Sequence, residues 1–237
     1  AAKEIEDLGD NTTGDKWIWE VEASTDGKIY GATYPNAKSF EYDIASGTFR
    51  DLGRMNMTEQ YTRGIGVTED ALYAGTGSKA YLYRIDRNTY EKTEIPTPVT
   101  GTDTMISNIW EYGDRLFVVN GTSLHVLDSV SHTLIRTIHY QDAISTDGFI
   151  SPPSPLDTDI MYFKNKNTHQ LWTYNIQKDE IAIVGDGIDL PSTSTRTMKW
   201  VERDGEQQLA MMYTRNELVF FNPRTGEHEV IYPDVDM

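Results

Sequence analysis

Two residues of this 237-residue chain have the types and the spacing that β-elimination on a uronic acid requires. That reaction takes a general base, often Tyr or His, and a cation that neutralises the carboxylate of the sugar. Tyr61 and Arg63 stand two positions apart and could supply the base and the cation. The competing interpretation, which the sequence favours, is that Tyr and Arg at the junctions of loops and strands only pack the rim of the fold.

Other aromatic and basic residues at strand ends or in loops extend this candidate surface. Aromatic rings suit stacking against sugar rings, and Arg or Lys suit pairing with carboxylates. The candidate ligand-binding residues are Trp17, Tyr34, Lys79, Arg196 and Arg215. Together they predict that a carbohydrate or protein ligand binds on the loop face of the fold.

Metal, thiol and phosphate-loop chemistry finds no support in the sequence. The absence of cysteine excludes disulfides, thiolate catalysis and Cys-ligated metal sites. The histidines form no HExxH or HxH pair, calcium loops of the D-x-D-x-D-G type are absent, and His125 is interpreted as a buried structural histidine. There is no G-x-S-x-G elbow and no Gly-rich loop that opens a helix. We therefore expect neither a metal nor a cofactor.

The charge balance excludes two classes of partner. The chain has 21 Lys plus Arg and 37 Asp plus Glu, a net charge of −16. Binding to nucleic acid comes mainly from basic residues that neutralise phosphates, so this balance argues against nucleic acid and against an anionic membrane surface. No apolar run approaches the roughly 18 residues that a membrane-spanning helix needs.

A repeat organises the chain. An acidic or amide residue ends a short apolar strand in each copy, and the spacings between these anchors are 43, 42, 47 and 47 residues. The anchors are Asp43, Asp86, Asp128, Asn175 and Asn222. A period of about 40–50 residues with four short strands per unit is typical of a β-propeller blade. The sequence thus predicts a single all-β domain over residues 1–237, with five four-stranded antiparallel blades.

The residues around each anchor predict its local structure. One and three positions before the anchors, nine of ten residues are large and apolar or aromatic, which predicts a face buried between blades. Asp and Asn at the anchor suit a turn, because their side chains accept hydrogen bonds from the backbone that follows. Gly47 and Gly226 are expected to supply the positive φ that closes this turn.

The first two repeats carry a family resemblance. The segment 26–37, with Phe40-Glu41-Tyr42-Asp43 and Ser46-Gly47 after it, resembles repeats of large secreted bacterial β-propeller proteins described as PQQ-like or YVTN-like. Some of these proteins accompany polysaccharide-degrading domains. The resemblance implies a β-propeller that is secreted, extracellular or periplasmic. Quinone binding is not implied, since only Arg224-Thr225-Gly226-Glu227 is similar to a quinoprotein blade core.

Two functions from different classes follow. The first is a secreted binding or interaction module without catalytic residues, in which the loop face binds a carbohydrate or a protein. The second is a carbohydrate-active enzyme, with a polysaccharide lyase that uses Tyr61 and Arg63 as its most plausible form.

The N-terminus raises the question of ring closure. Residues 3–8 read like the outer strand of the first repeat, and so predict an extra outer strand. In one interpretation five blades close into a ring and one outer strand is displaced. In the other, the sequence is part of a larger ring, and an isolated chain is expected to self-associate.

Overall fold

A computed structural model describes residues 6–121, 123–139, 150–165, 168–178 and 180–232. These ranges hold nineteen β-strands and no helix, so nothing in them resembles a helical membrane span. The strands form five antiparallel sheets in which each strand pairs with its neighbours in the sequence. The predicted fold class, an all-β propeller of antiparallel blades, is confirmed.

The strands follow the predicted repeat. The first sheet contains β1 (Trp17–Ala23), β2 (Lys28–Tyr34), β3 (Lys38–Asp43) and β4 (Thr48–Arg54). The second contains β5 (Tyr61–Val67), β6 (Ala71–Gly77), β7 (Leu82–Asp86) and β8 (Lys92–Ile95). The third contains β9 (Ile106–Tyr112), β10 (Arg115–Asn120), β11 (Ser123–Asp128) and β12 (Leu134–His139).

The last two sheets differ in completeness. The fourth contains β13 (Ile160–Lys164), β14 (Leu171–Asn175) and β15 (Glu180–Ile183). Where the other sheets have an inner strand, Ile150 makes an isolated bridge to Phe163. The fifth contains β16 (Thr195–Arg203), β17 (Glu206–Tyr213), β18 (Leu218–Phe221) and β19 (His228–Ile231).

The anchors close their turns as the sequence predicts. The Oδ1 atom of Asp43 accepts a hydrogen bond from the N–H of Ser46, and the other four anchors accept from the N–H two or three residues on. Gly47 and Gly226 have positive φ, as predicted. Tyr90 and His132 occupy the same place in their repeats and also have positive φ, which the sequence did not reveal.

The face predicted to lie between blades is buried. One position before the anchors, Tyr42, Ile85, Leu127, Tyr174 and Phe221 are all at most 8% exposed. Three positions before, four of the five residues are buried and Trp172 is half-buried. Removing such side chains from water supplies most of the stabilisation of the fold, at about 25 cal/mol per Å² of apolar surface.

The chain divides into two compact units. Unit 1 comprises 1–120 and 125–135, and unit 2 comprises 121–124 and 136–237; the division passes through β11 and β12. In unit 1, glycines let β5 approach β9 closely, since a Cβ on Gly66 would lie 2.6 Å from the carbonyl oxygen of Ile109. Unit 2 has its own core, in which Tyr162, Leu209 and Phe221 take part. That residues 1–237 form one domain stays a prediction.

The expected extra outer strand lies mostly beyond what the structure describes. Residues 3–5 are outside the described residues, and residues 6–8 carry no strand assignment. The question of ring closure raised by this segment stays open as a prediction.

Candidate functional site

Four aromatic rings contact one another in a row in unit 1, three of them stacked and the fourth tilted, and we call this row the aromatic column. Trp17 stacks on Tyr34 with ring centroids 5.7 Å apart, and Tyr34 stacks on Tyr61 at 4.5 Å. Trp19 contacts Tyr61 at 5.7 Å, and the guanidinium of Arg63 lies 5.2 Å from the centre of the Trp19 ring. The structure therefore brings four of the predicted site residues together: Trp17, Tyr34, Tyr61 and Arg63.

The sheet pairing explains why the column forms. Trp17 at the start of β1 is the direct cross-strand partner of Tyr34 at the end of β2, and such opposed side chains have Cβ atoms about 5 Å apart. Tyr61 begins β5 in the next sheet, and its ring lies between those of Tyr34 and Trp19. A register shift between Ile18 and Glu20 marks a bulge, the kind of irregularity that re-aims side chains near functional sites.

Buried polar contacts hold the start of β1 in place. The carboxylate of Asp15 accepts hydrogen bonds from the hydroxyl of Thr33 at 2.6 Å and from the side-chain amide and backbone N–H of Asn36. The ammonium of Lys38 donates to the carbonyl of Thr13 at 2.6 Å. These contacts fix the segment that leads into Trp17 against the loop after Tyr34, so the column is positioned before any ligand arrives.

The column is exposed at both tryptophans. Trp17 is 55% exposed and Trp19 is 41% exposed, while Tyr34, Tyr61 and Arg63 are half-buried. The corresponding inner strand of the second sheet, β5, has four buried residues and none that is exposed, whereas β1 has no buried residue. Large exposed rings set in a rigid sheet are a usual mark of a binding surface.

Tyr61 packs against two other rings of the column. Its ring stacks on Tyr34 and contacts Trp19. Burial, followed by the influence of Tyr34, raises the pKa of the Tyr61 phenol above its ordinary value. The catalytic role of Tyr61 as a general base stays a prediction.

Lys79 lies near the start of β5 as well. Its backbone N–H donates to the carboxylate of Glu59 at 2.7 Å, and Glu59 is only 6% exposed. Tyr61, two residues after Glu59, pairs in register with Gly77. The loop that carries Lys79 is thus tied to the segment that leads into the column, and the Lys79 side chain is exposed.

The two remaining predicted site residues belong to unit 2. Arg196 lies near the start of β16 and is exposed. Arg215 follows β17 in a turn, where its backbone N–H donates to the Glu217 carboxylate at 3.2 Å. Neither joins a cluster of aromatic residues within unit 2, as far as the described residues show.

A second polar cluster in unit 1 centres on Arg87. Its guanidinium donates to the hydroxyls of Tyr30 and Ser24, the carboxylate of Asp26, and the carbonyls of Thr68 and Glu69. A groove of about 540 Å³ lies beside these residues. Because the guanidinium has five N–H groups and makes five hydrogen bonds, it has no donor left for a ligand.

A third cluster links the second and third repeats of unit 1. The hydroxyl of Tyr73 lies 3.1 Å from Nε2 of His132, and burial raises the pKa of Tyr73 to about 12. Burial, followed by the Arg84 charge, lowers the pKa of His132. Arg84 pairs with Asp70 at 2.7 Å and Tyr73 is only 2% exposed, so these groups offer no open site for a substrate.

The interpretation of His125 as structural is confirmed. The ring is 1% exposed and its Nε2 lies 2.8 Å from Oδ1 of Asn120. In the part of the chain that the structure describes, no three His, Cys, Asp or Glu side chains are grouped so that they could hold a metal ion.

Sequence reasoning missed Trp19 and Arg87. Trp19 stands two positions after Trp17, so an alternating strand would have placed both rings on one face, and that signal was available. Arg87 follows the second anchor, where the other repeats have Ile44, Ser129, Ile176 and Pro223, so no repeat pattern marks it.

Comparison with known proteins identifies the fold alone. No family model matches the chain, and no curated protein matches it in sequence. A solved chain of a "Mitotic Checkpoint Complex" aligns with a TM-score of 0.70 and 13% identity, over 97% of this chain and 68% of that chain. A streptogramin B lyase, a β-propeller, aligns with a TM-score of 0.72 and 14% identity, over 95% and 72%. At these identities the likeness supports the propeller fold and leaves the resemblance to secreted bacterial repeats a prediction.

Proposed function

We propose that this propeller is a binding module without catalytic residues and that its ligand contacts the aromatic column. The observation that carries the proposal is the row of contacting rings with an exposed tryptophan at each end, next to a segment fixed by buried hydrogen bonds. Exposed, pre-positioned aromatic rings bind ligands at a small entropic cost, because little is left to order on association. The two solved chains that are similar to this one support the fold on which such a surface is built.

A carbohydrate is the ligand that the sequence analysis predicts. The outward faces of the tryptophans provide flat apolar surfaces for sugar rings, and Lys79 and Arg63 supply cations nearby for carboxylates or hydroxyls. A protein ligand can use the same surface, since Trp, Tyr and Arg are the residues that most often dominate protein interfaces.

The binding function is tested by removing the exposed rings. We expect a Trp17→Ala, Trp19→Ala variant to weaken binding on the order of tenfold or more for any ligand found in a panel of peptides and oligosaccharides. Tyr112→Ala is the matched control, because Tyr112 is 44% exposed in unit 1 and contacts no ring of the column. A ligand that binds the double variant as well as the parent would contradict the column as the binding surface.

The alternative, a polysaccharide lyase, is tested by its product. Incubation with a panel of polyuronates would raise the ultraviolet absorbance of unsaturated uronates if the chain catalysed β-elimination. The contacts of Tyr61 with Tyr34 and Trp19 favour a packing role for its ring over that of a base. We therefore expect no absorbance change, and an increase that Tyr61→Phe abolishes would establish the enzyme instead.

A further inference from the structure

The two ends of the aromatic column differ in what they contact. At the Trp19 end, the guanidinium of Arg63 lies 5.2 Å from the ring centre, so the chain itself supplies a cation there. At the Trp17 end, one ring face stacks on Tyr34 and the side chain is 55% exposed. Within the ranges that the structure describes, Trp17 makes no second ring or cation contact. The column therefore ends in a tryptophan face that is open to solvent.

A tryptophan face attracts cations more strongly than any other aromatic face. The attraction comes from the negative potential above the ring, and guanidinium groups are the commonest partners. The contact between Arg63 and Trp19 shows the column already engaged in this interaction at one end. The open Trp17 face has the same chemistry.

The chain segment that contains Trp17 is acidic in sequence. Residues 6–23, which include β1 and the chain leading into it, have six acidic residues and one lysine, Lys16, while Asp15 is buried and the ammonium of Lys38 contacts Thr13. Glu20 and Glu22 lie on β1 itself, and both are half-buried. The whole chain carries a net charge of −16, which attracts cations at long range and repels polyanions.

We propose that the Trp17 end of the column binds a basic peptide segment through the guanidinium group of an arginine. The proposal rests on the binding function proposed above and names its ligand class. The arginine lies over the outer face of Trp17, as Arg63 lies over Trp19, and the net negative charge of the chain attracts the other basic residues of the peptide. An acidic glycan fits the local Lys79 and Arg63 but meets the repulsion of the surrounding charge, and it becomes the opposing outcome of the test.

The experiment compares three probes on the full chain by calorimetric titration in 0.15 M salt. The first is a hexapeptide of alternating Arg and Gly, and the second is the same peptide with citrulline, the uncharged analogue, in place of each Arg. The third is a galacturonate oligomer. We expect the arginine peptide to bind most tightly and its affinity to fall as salt is raised, because the charges are screened.

Variants separate a contact at Trp17 from general attraction to an acidic protein. Trp17→Leu keeps an apolar side chain but removes the ring. We expect it to lower the affinity for the arginine peptide about fivefold. The same change should leave the citrulline peptide almost unaffected. Tyr112→Ala serves again as the control and should leave both peptides unchanged.

The possible results separate the proposed ligand class from the proposed binding function. The proposal of a cationic ligand would be overturned if the arginine and citrulline peptides bound with equal affinity. It would also be overturned if Trp17→Leu left the affinity for the arginine peptide unchanged. If the galacturonate oligomer binds more tightly and depends on Trp17 and Lys79, the column is a glycan site, so the binding function stands and the ligand class is wrong. If no probe depends on Trp17 or Trp19, the binding function proposed for the column fails too.

Discussion

In unit 1, Gly66 and Arg87 stabilise the fold through contacts that neither the residue type nor the position in the repeat predicts. Gly66 is required by a close approach, because any Cβ there would lie 2.6 Å from the backbone oxygen of Ile109 and 3.0 Å from its Cγ2. Arg87 is required by its five hydrogen bonds to groups from both of the first two repeats. Each gives a mutation with a clear expected outcome.

Gly66→Ala is expected to destabilise the protein by about 1–3 kcal/mol, the usual cost of inserting a methyl group where the packing leaves no space. The neighbour is backbone and cannot rotate away, so β5 or β9 has to shift. Equilibrium urea unfolding measures the change. A variant as stable as the parent would show that the two strands can separate slightly at no cost.

Arg87→Met is expected to cost about 1–3 kcal/mol, because it removes the donor from the part-buried Tyr30 hydroxyl and Thr68 carbonyl, whereas the Asp26 carboxylate is half exposed. Arg203→Met is the control, since Arg203 pairs with Glu229 at an exposed position and such pairs are worth about 0–1 kcal/mol. Thermal unfolding of both variants gives the comparison. Equal losses would mean that Arg87 contributes no more than a surface ion pair.

The turn after each third strand is the element that the repeat preserves. A backbone N–H after the anchor donates to Asp43, Asp86 and Asp128, and these hydrogen bonds hold the pKa of all three carboxyls below their ordinary values. Asn175 and Asn222 accept the same bonds with an amide oxygen that does not titrate near neutral pH. The chain therefore contains an acid-sensitive and an acid-insensitive form of one turn.

The triple variant Asp43→Asn, Asp86→Asn, Asp128→Asn is expected to lose less stability in acid than the parent. A carboxyl whose folded pKa is lowered stabilises the fold above its unfolded pKa of about 3.9, and that contribution disappears as the pH falls through the lowered value. Melting temperatures at pH 7 and pH 3 measure the effect. An equal drop in parent and variant would assign acid sensitivity to other carboxylates.

The sequence predicted elements well where a pattern repeats. Alternation and flanking turn residues predict strands over 17–23, 134–139 and 160–164, and β1, β12 and β13 have these bounds. The sequence also predicts a strand over 90–95, whereas β8 begins at Lys92, since Tyr90 is held at positive φ in the anchor turn. No local signal distinguishes a tyrosine in that conformation from one that starts a strand.

At the scale of the whole molecule, charge and exposed rings act in opposite directions. The net charge of −16 keeps molecules apart at neutral pH, while the exposed tryptophans and other apolar side chains favour association. The sequence predicted the aromatic column only in part. Trp17, Tyr34 and Tyr61 could be placed at strand ends from the sequence, but their stacking depends on a contact between two sheets that the sequence does not encode locally.

Solubility is expected to fall to a minimum near the isoelectric point of about 4.6 and to recover above and below it. Static light scattering across a pH series measures the association. Trp17→Ser, Trp19→Ser should narrow the range of pH in which the protein associates, because it removes the largest exposed rings of β1. An unchanged pH profile in this variant would show that other surfaces drive the association.

The residue four positions after the anchor has a positive φ in four of the repeats, which restricts the residue types that this position accepts. An L-residue in that conformation costs about 1–2 kcal/mol relative to glycine. Tyr90 and His132 offset that cost through contacts with an adjacent repeat, to the Glu41 carboxylate and the Tyr73 hydroxyl respectively. Glycine occupies this position in the first and fifth repeats, and in the second and third repeats a larger residue is accompanied by a hydrogen-bonding partner in the adjacent repeat. Exchange of whole blades between copies of such a repeat would separate these pairs, so the second and third blades can be shuffled only with the neighbours that they now have.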